Sequence, residues 1–165
     1  MLQIKKIANA NVYKRGVSFA GKAKEITLPD VSFIANEYKS LGLFGTPKLP
    51  DGMEAMEATF IWGALYPEVL SEAANPFSAV PLQIRAAQET FNSFGRVGTE
   101  KVLIDLSGTF SKFPLGAYRP GEALSCETTM QVSYFRMQIG KQIVAECDVM
   151  ANIYRVNGIN LLSDV

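Results

Sequence analysis

The 165-residue chain has no histidine, only two cysteines and no net charge, its 16 basic side chains matching 16 acidic ones. Without histidine there is no imidazole to serve as general base, metal ligand or pH switch near neutrality. Most hydrolase and metalloenzyme readings weaken accordingly. Zero net charge argues against a general nucleic-acid binder, which would carry a basic surplus. Cys126 and Cys147 form no CxxC and no disulfide framework, so they read as reduced residues in or near a core. The longest apolar run, Phe60 to Tyr66, is far short of the roughly 20 residues that a membrane span requires. Met1 to Ile7 carries charge but lacks the sustained apolar stretch of a secretory signal. These absences point to one soluble domain over residues 1–165, made in a cytoplasm and not inserted in a membrane.

What the chain does have is uneven. All six charged residues from Met1 to Lys24 are basic: Lys5, Lys6, Lys14, Arg15, Lys22 and Lys24. Residues 1–16 therefore read as a basic arm, either solvated or docked on an acidic partner. Strand-like alternation begins at Val17 and runs to Pro29. Between Pro29 and Gly52 the breakers Gly42, Gly45, Pro47, Pro50 and Asp51-Gly52 are mixed with Phe33, Ile34, Tyr38, Leu41, Leu43, Phe44 and Leu49. A structureless stretch of this length is uncommon in a compact domain unless it is functional, and its apolar side chains need a surface, one on another chain.

Met53 to Trp62 reads as a strand. A short helix follows, with Pro67 at its first position, Glu68 complementing its dipole and Asn75-Pro76 stopping it. Leu82 to Phe91 fits either strand or helix, and Asn92-Ser93-Phe94-Gly95 turns the chain. Lys101 to Phe110 alternates as a strand. Met130, Val132 and Tyr134 alternate in turn, but the apolar phase flips at Phe135, Met137 and Ile139, which predicts a bulge or a strand whose other face becomes buried. Gly140-Lys141 and Asn157-Gly158 are hairpin-turn signals. The expected fold is mainly β, an antiparallel sandwich or barrel with one short helix.

Glu54 and Glu57, three apart on a strand, face opposite sides and cannot form an acid/base dyad. Glu146 and Asp148 share a face but have no nucleophile or metal ligand beside them. Ser125-Cys126 has no activating base. Gly42-Leu43-Phe44-Gly45 lacks the spacing and Lys-Ser/Thr ending of a phosphate loop. No enzyme activity and no cofactor are expected.

Several blocks, in order along nearly the whole chain, carry a resemblance. They are Gly16-Val17-Ser18-Phe19-Ala20-Gly21, Glu25-Ile26-Thr27-Leu28-Pro29, Glu37-Tyr38 followed by Gly42 and Gly45, and Met53-Glu54-Ala55-Met56-Glu57-Ala58-Thr59-Phe60. Further on come Tyr66-Pro67-Glu68-Val69-Leu70, Tyr118-Arg119-Pro120-Gly121-Glu122, Val132-Ser133-Tyr134-Phe135-Arg136-Met137 and Arg155-Val156-Asn157-Gly158. In these blocks the sequence resembles the major tail tube proteins of contractile-tailed bacteriophages and the related tubes of R-type pyocin-like particles. Residues 75–100 match least.

The resemblance implies a tail-tube type β-barrel with a flanking helix, a homo-oligomer of hexameric rings stacked into a hollow tube, and a place in a virion. Its implied partners are a tail sheath protein, a tape-measure protein, baseplate and tail terminator proteins, and DNA in transient passage. Residues 29–52 would then be an extended loop or hairpin packing on the adjacent ring, anchored by Phe33, Tyr38, Leu41, Leu43 and Phe44. Lys5, Lys6, Lys14 and Arg15 would face the sheath or a neighbouring subunit. A conduit for DNA should repel it, so the polar parity of the C-terminal strands is expected to line the lumen: Asp105, Ser107, Thr109, Glu127, Thr129, Gln131, Ser133, Glu146 and Asp148. Four acids against Lys101 alone would give about minus eighteen per six-fold ring. Two other readings compete: a β-sandwich binding or adaptor module, which would show an aromatic platform, and a tube protein of the type VI secretion kind.

Overall fold

A computed structural model describes residues 1–14 and 17–163. Twelve strands and one helix follow in order: β1 Ile4–Lys14, β2 Val17–Ser18, β3 Ala23–Thr27, β4 Phe33–Glu37, β5 Lys48–Met53, β6 Met56–Trp62, α1 Pro67–Ala73, β7 Val80–Asn92, β8 Gly95–Lys112, β9 Cys126–Ile139, β10 Gln142–Asp148, β11 Ile153–Val156 and β12 Ile159–Asn160. Ten strands form one sheet in the order β12-β11-β10-β9-β8-β7-β1-β2, with β6 paired to both β9 and β3. All pairings are antiparallel. The remaining two strands, β4 and β5, form a separate hairpin. Residues 33–53 make up this hairpin, with 38–47 between its strands.

The turns follow from residue type. Asn157 and Gly158 both have positive φ, 51° and 84°, as the tight β11–β12 turn requires. Gly140, at φ 62°, opens the two-residue turn between β9 and β10. The ambiguous Leu82–Phe91 segment is strand: its β-branched and aromatic ends pair along β1 and β8, overriding the helix propensity of Arg85-Ala86-Ala87-Gln88-Glu89. In α1, Pro67 occupies the first turn beside Glu68, and Val69 and Ala73 are buried. Lys22 pairs with Glu68 at 3.2 Å and Lys14 pairs with Glu72, tying the helix to the chain around β1.

The phase flip in β9 is a bulge. Strands β8 and β9 are in register through Ser107↔Tyr134 and resume at Gly108↔Val132, leaving Ser133 as the extra residue. Gly108 permits this approach, since a Cβ there would lie 2.1 Å from the Gln131 carbonyl oxygen. The bulge divides β9 between two neighbours. Cys126–Val132 pairs with β6, and Tyr134–Ile139 pairs with β10. Bending there lets the sheet wrap one core, containing Val12, Met56, Phe60, Trp62, Leu82, Ile84, Leu106, Phe110, Met130, Phe135 and Cys147, with Val69 and Ala73 of α1. Trp62 Nε1 donates to Thr128 Oγ1 at 2.9 Å, so the polar handle of the core tryptophan is satisfied where both groups are buried. Cys126 and Cys147 are both buried free thiols, and burial pushes both pKa values up.

Candidate assembly surfaces

Three surfaces remain once the core is accounted for. The first is the β4–β5 hairpin. Its root packs on the body: the Phe33 ring meets Tyr154 of β11 edge-on at 5.9 Å, and Met53 Sδ lies 3.9 Å from Cys147 Sγ. The rest projects away. Leu41 and Phe44 at the tip are 101% and 111% exposed, and Tyr38, Leu43 and Leu49 are exposed as well. A two-stranded hairpin is marginal by itself, and this one presents apolar side chains to water. Of the five residues expected at an inter-ring contact, Tyr38, Leu41, Leu43 and Phe44 are exposed without a core neighbour, whereas Phe33 also anchors the root.

The second surface is an edge. β1 pairs with β7 from Ile4↔Phe91 to Tyr13↔Gln83, but on its other side β2 meets only Tyr13 and Lys14. Among the described residues, no strand covers the outer edge of Ile4–Asn11. Such a long uncapped edge is a template for another chain. The basic N-terminal stretch, expected as a solvated or docked arm, runs as strand β1 from Ile4 to Lys14. Lys5 pairs with Glu100 at 3.2 Å, Lys6 stands opposite Glu89, and Lys14 pairs with Glu72. Arg15 lies outside the described residues.

The third surface is the polar face of the main sheet. Alternation against the buried Leu106, Phe110, Met130, Val132, Phe135 and Cys147 puts the polar residues of β8, β9 and β10 on the opposite side. Asp105, Ser107, Thr109, Glu127, Gln131, Ser133, Glu146 and Asp148 are all exposed or half-buried there. Thr129 is only 8% exposed and does not present to solvent.

The electrostatics of this face differ from a bare acidic wall. Arg136, put on this side by the bulge, donates from Nε and Nη2 to Asp105 Oδ2 at 3.0 and 2.7 Å, while Gln83 Nε2 donates to Asp105 Oδ1 at 2.8 Å. The hydrogen bond to Asp105 raises the Arg136 pKa further above its ordinary value. Arg155 of β11 pairs with Glu146 at 2.8 Å, and Lys112 pairs with Glu127 at 3.0 Å. The Asp148 carboxylate accepts the backbone N–H groups of Met150 and Ala151, both at 3.1 Å. Each acid is thus engaged, three of them by a cation. Sequence alternation missed Arg136 and Arg155, although the phase flip at Phe135 was the signal that moves Arg136 to this face.

Among the described residues, no three Cys, Asp or Glu side chains gather as a metal-ligand set. An open groove of about 290 Å³ is lined by Pro81, Leu82, Gln83, Asp105, Leu106, Ser107 and Tyr134.

The curved antiparallel sheet with its projecting apolar hairpin is a fold shared with chains of contractile injection system structures. The chain superposes with a TM-score of 0.58 on a chain of the sheath–tube complex of an extracellular contractile injection system, PVC, in its extended state, at 14% identity over 78% of this chain and 87% of that one. A chain of the sheath/tube terminator structure of PVC gives a TM-score of 0.59, again at 14% identity, over 78% and 92%. The family of phage tail tube protein FII matches over residues 4–165, and the chain belongs to it. The tail tube protein of Escherichia phage P2 is 25% identical over 98% of this chain and 95% of its own length. The major tail tube protein of Serratia phage KSP20 is 21% identical over 97% and 92%. The chain is a structural tail tube component, and its place is the virion.

Proposed function

We propose that the chain self-assembles into hexameric rings stacked head to tail as the inner tube of a contractile tail, a conduit for DNA and a tape-measure protein. In this reading the tube sits inside a sheath, is bounded by baseplate and terminator proteins and catalyses nothing. The observation that carries it is the β4–β5 hairpin, whose tip exposes Leu41, Leu43 and Phe44, with no core residue among the described ones packed against them. A contact between one patch and a different patch on the next copy generates open stacks, which is what a tube requires. The open edge of β1 supplies the lateral half of the reading: a neighbour's edge pairing along Ile4–Asn11 would join sheets around a ring and remove the edge. Lys6, on that strand, then faces a neighbouring subunit or the sheath.

The experiment substitutes Leu43→Glu and Phe44→Glu together. Both side chains are exposed, so folding stability should stay within about 0.5 kcal/mol of the parent. Under the electron microscope the variant should give rings or monomers and no tubes. Normal tubes from this variant would refute the hairpin as the axial contact.

A further inference from the structure

One register row crosses seven strands of the polar face. Tyr13 pairs with Gln83, Gln83 with Asp105, Asp105 with Arg136, Arg136 with Glu146, Glu146 with Arg155, and Arg155 with Asn160. Its charges alternate: Asp105, Arg136, Glu146, Arg155. The hydrogen bonds at 2.7–3.0 Å within the Gln83–Asp105–Arg136 and Glu146–Arg155 groups occupy both carboxylates and both guanidinium groups. Arg85, which is exposed, stacks 4.1 Å over the Tyr13 ring and donates from Nε to Gln83 Oε1. Beyond Tyr13 the β1 edge is covered by Ser18 of β2, and at its other end the row reaches the edge strand β12.

We propose that this row is a charge-compensated wall that duplex DNA slides past, and that Asp105 and Glu146 are there to hold Arg136 and Arg155 away from phosphate. The proposal rests on the tube reading. The physics favours pairing over either single sign. Asp105 and Glu146 alone, flanking β9 on both sides, would repel each other and weaken strand pairing. Arginines alone would gain counterion-release affinity for a polyanion and retain it. Alternation keeps the cross-strand pairs that fix the register while leaving neither Arg136 nor Arg155 without a carboxylate partner.

The test compares assembled wild-type tubes with tubes of the Asp105→Asn, Glu146→Gln double variant, which exposes two arginines per subunit. Binding of a short linear duplex is measured by fluorescence anisotropy at about 50 mM salt and again at higher salt. The double variant should bind on the order of tenfold more tightly than wild type, with the gain disappearing as salt rises. A companion in which Arg136→Gln and Arg155→Gln are added should return binding to the wild-type level. Covalently closed circles cannot thread a tube, so the gain should be confined to linear DNA. Variant tubes that bind linear DNA no better than wild type overturn the proposal, as does equal binding of circles, which would put the row on the outer wall. If the double variant fails to assemble, Glu146→Gln alone frees Arg155; it should show a smaller gain, and no gain overturns the proposal. Failure of wild type to form tubes would instead defeat the tube reading, so the two failures are distinguishable.

Discussion

Replacing Gly108 by alanine should be among the most damaging single-methyl changes in this chain. A Cβ at Gly108 would sit 2.1 Å from the Gln131 carbonyl oxygen, 2.9 Å from the Gln131 carbonyl carbon and 3.0 Å from Val132 Cα. All three are backbone atoms of the neighbouring strand, so no side-chain rotation can relieve the clash. β8 and β9 would have to separate by more than an ångström at the bulge, where β9 changes partners from β6 to β10. Overpacking in a core costs about 1–3 kcal/mol, and a clash with main chain belongs at or above the upper end. A loss of about 3 kcal/mol, at a urea slope of about 2 kcal/mol per molar, lowers the denaturation midpoint by about 1.5 M. Urea titration followed by tryptophan fluorescence reads this through Trp62, the single tryptophan. A midpoint within about 0.3 M of the parent would refute the account of the bulge as a close backbone approach that only glycine permits.

Trp62→Phe removes the donor to Thr128 Oγ1 and leaves that hydroxyl buried, at a cost of about 1–3 kcal/mol measured by circular dichroism in urea. Adding Thr128→Val should recover part of the loss; additive losses would show that the pair is not coupled. Burial first, and then the Glu146 carboxylate, raise the Tyr134 pKa above its ordinary value. A raised folded-state pKa means that the stability Tyr134 contributes is complete below its unfolded value, about 10, and is lost as pH climbs through the folded one. In an ultraviolet pH titration Tyr134→Phe should remove one tyrosine's absorbance change from the alkaline end of the curve, and an unchanged curve would contradict this.

Much of the fold was legible because β structure announces itself by alternation and turn chemistry. Asn157-Gly158 and Gly140-Lys141 turn where their residue types require, and Pro67 with Glu68 begins the one helix. The phase flip at Phe135 foretold the bulge, since one extra residue inverts every later side chain. β7 was not legible: Arg85 to Glu89 is locally helical, and only pairing to β1 and β8 on either side makes it strand. Nor could the N-terminal arm be recognised as a strand, because Ile4–Ala10 is exposed throughout and shows no buried face. The acidic face was half legible. Its acids obey the alternation, but their partners Arg136 and Arg155 come from neighbouring strands, and cross-strand register is a long-range property that a count of charges along one strand does not contain.

The central claim is self-assembly through the hairpin and the β1 edge, and cryo-electron microscopy of the purified protein tests it most directly. The account predicts hollow tubes of stacked rings, with the 40–45 tip seated on an adjacent ring and a neighbour's strand along Ile4–Asn11. Monodisperse single subunits at high concentration, or tubes in which the hairpin tip and that edge both stay open to solvent, would contradict it.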